Sequence, residues 1–172
     1  LPDGSPAEGV EIYMASKGHQ IYINGGNVHD QGAFKTVTDG EGRYQLPFPD
    51  SLYAVVFMHD QGWRQLKGEQ LDKSKNVKLK KWSRLEGVLM QGDEAIANES
   101  VTLNFNANNV YDPERPQVYW NYGAQTDAEG KFVFDRVQSG SATVSRMVSF
   151  GGEEGTMYLM SSYTHSTQAD LK

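Results

Sequence analysis

The stretch Thr38-Asp39-Gly40-Glu41-Gly42-Arg43-Tyr44 returns downstream as Thr126-Asp127-Ala128-Glu129-Gly130-Lys131-Phe132. A chain that repeats a turn in the same polar and apolar order is built from two copies of one unit. Flanking segments agree. Upstream, Ala7-Glu8-Gly9-Val10-Glu11-Ile12 matches Asn98-Glu99-Ser100-Val101-Thr102-Leu103, and downstream Ser51-Leu52-Tyr53-Ala54-Val55 matches Ser139-Gly140-Ser141-Ala142-Thr143. Three matched stretches in one order predict a duplicated module, and 172 residues leave room for two small domains. The boundary is expected where Lys78-Leu79-Lys80 gives way to the strand Leu85-Glu86-Gly87-Val88-Leu89, with residues 1–81 as the first module and 82–172 as the second. The first copy opens at Leu1 inside the turn that follows an opening strand in the second. An opening strand from outside this sequence, or a contact covering the exposed edge, is therefore expected.

Period-two alternation marks the segments between the turns as strands. Val10, Ile12 and Met14 alternate with Glu11 and Tyr13, and Val101, Leu103 and Phe105 alternate with Thr102 and Asn104. Further strands are expected over residues 20–23, 43–48, 53–58, 77–81, 85–90, 118–122, 131–134 and 142–148, divided by clusters such as Asn24-Gly25-Gly26-Asn27 and Gln91-Gly92-Asp93. No apolar stripe at helical spacing lasts three turns. The pattern predicts an all-β chain of sandwich type.

The repeated motif has a complete structural account. Gly42 and Gly130 suit the positive φ of a tight turn, Asp39 and Asp127 can bond back to the turn's amides, and Tyr44 and Phe132 can enter a core. Calcium is the competing reading, because Asp39 with Glu41 and Asp127 with Glu129 set carboxylates two apart in glycine-bearing loops. The further acidic ligand that usually closes a calcium loop is not evident downstream.

In the order of its marks, the chain resembles the carboxypeptidase regulatory-like family, together with transthyretin-like and Cna B-type sandwiches. Those marks are Thr38 to Tyr44 followed by residues 53–57, and Thr126 to Phe132 followed by Val137-Gln138-Ser139-Gly140 and residues 142–148. The resemblance implies two tandem Ig-like or prealbumin-like β-sandwich modules, serving as spacers, stalks or accessory domains of exported bacterial proteins. Some Cna B-type modules carry an internal Lys–Asn isopeptide bond. Residues 85–90 contain no lysine, so none is expected in the second module.

Composition narrows the function. A net charge of −6 repels phosphate backbones, which argues against nucleic acid. Cysteine is absent, so disulfides and thiolate metal sites are excluded, and no apolar run approaches the roughly 20 residues needed to span a bilayer. His19, His29, His59 and His165 lack metal-binding spacing, and neither a nucleophile elbow nor a phosphate-binding glycine loop is present. No cofactor is expected. The most suggestive binding feature is Tyr119, Trp120, Asn121 and Tyr122, where alternation sends Tyr119 and Trp120 to opposite faces. Aromatic rings beside Asn104, Asn106, Asn108, Asn109 and Asp112 can stack on sugars, while burial in a core is the commoner fate of such rings. Trp63 is read as a core cap or an exposed contact, and Trp82 as packing between modules. The expected function is a non-catalytic spacer or protein-binding segment of an exported, surface, periplasmic or extracellular protein, with a carbohydrate-binding module using Tyr119–Tyr122 as the alternative.

Overall fold

The computed structural model describes residues 1–30, 33–47, 53–73, 76–105, 116–152, 155–159 and 167–171. The described chain is mostly β, with a single short helix among the described residues. In chain order the elements are β1 (Glu11–Ser16), β2 (Ile21–Asn24), β3 (Asn27–Asp30), β4 (Phe34–Val37), β5 (Tyr53–His59), β6 (Gly62–Lys67), the short helix α1 (Gly68–Asp72), β7 (Ser83–Val88), β8 (Met90–Gln91), β9 (Glu94–Ala95), β10 (Ser100–Phe105), β11 (Val118–Gln125), β12 (Lys131–Val137), β13 (Gly140–Gly152), β14 (Gly155–Leu159) and β15 (Thr167–Leu171). No helix among the described residues is long and apolar enough to cross a membrane.

The chain divides into two compact units. The first holds Leu1–Ile23, Asn27–Trp82 and a stretch ending at Trp120. The second holds Asn24–Gly26, the chain from Ser83 through β10, and the chain from Asn121 onward. Both β2 and β11 contribute residues to each unit.

The first unit is built on an antiparallel sheet in the order β4-β1-β5-β6. Its central strands are buried on both faces. Tyr13 and Ala15 of β1, with Ala54, Val56 and Met58 of β5, pack with Ile21, Ile23, Ala33 and Trp63. On the other face Ile12, Met14, Val55 and Phe57 pack with Val10, Leu66 and Leu79. Double burial explains why β5 reads as an unbroken apolar run, Ala54-Val55-Val56-Phe57-Met58. It also corrects the alternation read in β1: Tyr13 is not on a polar face but 4% exposed, with only its hydroxyl reaching out to Glu11 Oε2 at 2.8 Å.

In the second unit β14, β13, β10 and β11 follow one another in one sheet, with β15 also on β13, and β7 pairs with β12 in a separate ladder. Alternation holds here. Val101 and Leu103 of β10 and Phe132 and Phe134 of β12 are buried, and Lys131 and Asp135 face solvent.

The ladder registers of the two sheets correspond. Glu11 of β1 sits opposite Val37 of β4 and Met58 of β5. Ser100 of β10 sits in the same way opposite Gln125 of β11 and Met147 of β13. Backbone pairing therefore sets Val10 against Glu99, two positions away from the Val101 that the sequence match had chosen. The apolar residues at Val10 and Val101 drew that match, although Val10 leads into its strand and Val101 lies within one.

Three strand expectations are corrected. Residues 43–47 form no strand and residue 48 lies outside the described residues; the second unit's counterpart, β12, is held by β7, and no described residue plays that part for 43–47. Residues 77–81 form only the isolated bridge Trp63–Lys80. The strand over residues 85–90 is two, β7 and β8, broken after Val88.

Candidate functional site

The repeated turn is built in the same way twice. Thr38 Oγ1 accepts from Val10 N–H at 2.9 Å and donates to the Ala7 carbonyl at 2.6 Å. Thr126 Oγ1 accepts from Glu99 N–H at 3.0 Å and donates to the Ile96 carbonyl at 2.7 Å. Asp39 Oδ1 accepts from Glu41 and Arg43 N–H, both at 2.9 Å. Asp127 Oδ1 takes the same two bonds from Glu129 and Lys131, at 3.0 and 2.8 Å. Gly42 and Gly130 each adopt φ of 73°, a region that a side chain disfavours. The carboxylate oxygen that a calcium ion would want thus already carries two amide bonds in each copy, and Glu41 pairs with Arg43. Among the described residues no three His, Asp or Glu side chains gather in one place; His165 lies outside them.

The aromatic strand β11 distributes its residues to different tasks. Tyr119 stacks on Tyr22 with ring centres 5.0 Å apart and planes 17° from parallel, and Tyr22 donates its hydroxyl to Gln20 Oε1 at 2.7 Å. Both rings are half-buried. Trp120 turns to the opposite face and packs on the first unit's core, 5.1 Å from Trp63 and 6.3 Å from Trp82, while its Nε1 donates to Gln65 Oε1 at 2.8 Å. Asn121, in the second unit, is exposed and donates Nδ2 to Asn24 Oδ1 at 2.9 Å. Tyr122 is a core residue there, 4% exposed. Its hydroxyl accepts from Gln138 N–H at 3.2 Å, and burial pushes its phenol well above the ordinary range.

Comparison of the chain with protein-family models, with curated proteins and with solved structures gives no match. The site is therefore read from its own geometry.

All three tryptophans of the chain meet in one cluster of the first unit. Trp63 is 6% exposed and belongs to the core. Trp82, expected between modules, lies 6.1 Å from Trp63 and donates Nε1 to the His59 carbonyl at 2.8 Å, so these described partners belong to the first unit. Of the Tyr119–Tyr122 set, Trp120 and Tyr122 are committed to packing. Tyr119 with Tyr22 leaves partly accessible ring surface. Sequence reasoning missed Tyr22, whose only signal was its place in Gln20-Ile21-Tyr22-Ile23, outward between two buried isoleucines. Of the asparagines grouped with these rings, Asn104 is exposed and bonds Thr102 Oγ1 at 3.3 Å, and residues 106, 108, 109 and 112 lie outside the described residues.

Proposed function

We propose that the chain is a non-catalytic structural or protein-binding segment, two tandem Ig-like or prealbumin-like β-sandwich modules of the carboxypeptidase regulatory-like kind, within a larger exported bacterial protein at the cell surface, in the periplasm or outside the cell. One observation carries the reading: the most distinctive polar residues of the chain, Thr38 with Asp39 and Thr126 with Asp127, spend their hydrogen bonds on backbone in both copies. Groups committed in this way stabilise a turn and are not poised for a substrate. Purified chain is expected to turn over none of a panel of chromogenic ester, glycoside and peptide substrates. Turnover that is abolished by replacing a pair of its own acids would overturn the reading.

A carbohydrate-binding role is the second reading, favoured by the Tyr22–Tyr119 stack. A glycan array separates the two. Specific binding lost in Tyr119→Ala supports the sugar platform, and Trp120→Ala is the wrong control because Trp120 packs against a core.

A further inference from the structure

The first unit's sheet ends in an edge, β6, where Gln65 has no backbone partner on its outer side among the described residues. β6 pairs with β5 along its length. On its other side Trp63 N–H donates to the Lys80 carbonyl at 2.9 Å and the Trp63 carbonyl accepts from Lys80 N–H at 2.8 Å. In an antiparallel ladder every second residue turns both backbone groups the same way, so Gln65 and Lys67 face the same open side as Trp63. Lys67 N–H is taken by Gln70 Oε1 at 3.0 Å. Continuing the bridge would place Lys78 opposite Gln65, yet pairing stops after Trp63–Lys80. A groove of about 540 Å³ opens there, between β6 and the segment leading to Lys80. Leu66 and Val77 give it an apolar lining, and Arg64, Lys78 and Lys80 give it positive charge. None of these three cations forms an ion pair among the described residues.

Charge selects the occupant. Seven of the chain's 16 Lys and Arg residues fall between Arg64 and Lys81, where Glu69 and Asp72 are the only acids, although the whole chain carries −6. An acidic segment is drawn to this edge and repelled elsewhere. Lysines beside an open edge discourage pairing with a like-charged strand. A second copy of this same basic edge is thus disfavoured, and an acidic strand is not.

We propose that the β6 edge is a strand-acceptor site for an acidic, extended peptide segment of a partner protein, pairing backbone with Gln65 and setting carboxylates against Arg64 and Lys78. The proposal rests on the protein-binding reading of the chain and gives that reading a partner chemistry.

Calorimetric titration of the whole chain with the capped peptide Glu-Val-Glu-Val-Glu tests it, with Lys-Val-Lys-Val-Lys as the control and amide hydrogen exchange read at Gln65. The acidic peptide is expected to bind and the control not to. Affinity should fall about tenfold or more in Lys78→Glu and decline with salt, and the Gln65 amide should exchange more slowly in the complex. Lys78 is exposed and outside every strand, so the variant keeps the fold; Arg64→Gln is a second, milder variant expected to weaken binding in the same direction. Absence of binding at about 1 mM peptide, where affinity is too weak to matter, overturns the proposal. So does equal binding by Lys78→Glu, or binding without protection at Gln65, which reports charge attraction alone. A sulfated polysaccharide that displaces the peptide overturns it in favour of polyanion recognition. The substrate panel decides the non-catalytic reading separately, so the two failures are distinguishable.

Discussion

Thr38 and Thr126 show how a single hydroxyl organises each copy. Each bridges an amide and a carbonyl of the preceding segment, and each is buried, at 7% and 3% exposure. Replacing either with valine preserves shape and leaves both backbone groups without that partner, so Thr38→Val and Thr126→Val are each expected to lose about 1–3 kcal/mol in urea denaturation. Equal losses would mark the two turns as energetic as well as geometric duplicates. The pair Glu11–Lys35, 2.6 Å apart where the start of β1 meets β4, is a weaker case. The Lys35 ammonium holds the Glu11 carboxyl below its ordinary value of 4.5. A carboxyl with a lowered folded pKa adds stability above the unfolded value, and that stability is lost as pH falls through the folded one. Both side chains are more than 40% exposed, so the contribution is under about 1 kcal/mol. Glu11→Gln is therefore expected to be slightly less stable than the native chain at pH 7 in low salt and to match it once pH is well below 4.5, as thermal melts across pH would show.

At the scale of elements, what mattered was which faces of a strand are covered. β10 and β12 keep one face wet, so their alternation could be read directly, as could the turns that bound them. β1 and β5 are covered on both faces, and there the periodic reading misassigned Tyr13. β4 and β6 were missed for the opposite reason: Phe34 and Val37 of β4 are 39% and 47% exposed, and Gly62-Trp63-Arg64-Gln65-Leu66-Lys67 carries too few apolar residues to announce a strand. Edge strands of this kind are recruited by a neighbour that needs pairing and not by their own pattern. The same principle governs the aromatic strand. Trp120 packs on Trp63 and Trp82, so Trp120→Ala is expected to cost about 2–4 kcal/mol in chemical denaturation followed by tryptophan fluorescence. A loss below about 0.5 kcal/mol, the range of an ordinary surface change, would show that the indole is not part of the core.

For the whole molecule, charge is the property that needs no coordinates. At −6 and an isoelectric point near 5.2, solubility is expected to fall as pH drops from 7 toward 5.2 and to recover below it, which turbidity against pH would report. By itself the sequence determined the all-β class and the duplicated turn, because glycine conformation, aspartate–amide bonding and period-two burial are local and act through neighbours in the chain. The sequence also supplied every side chain of the Tyr119–Tyr122 segment, but not their roles. That Tyr119 stacks on Tyr22, that Trp120 joins Trp63 and Trp82, and that the β6 edge opens beside Arg64 and Lys78 depend on segments far apart in sequence. Only tertiary structure decided them, since burial, pairing and charge convergence are properties of whichever residues the fold brings within contact distance.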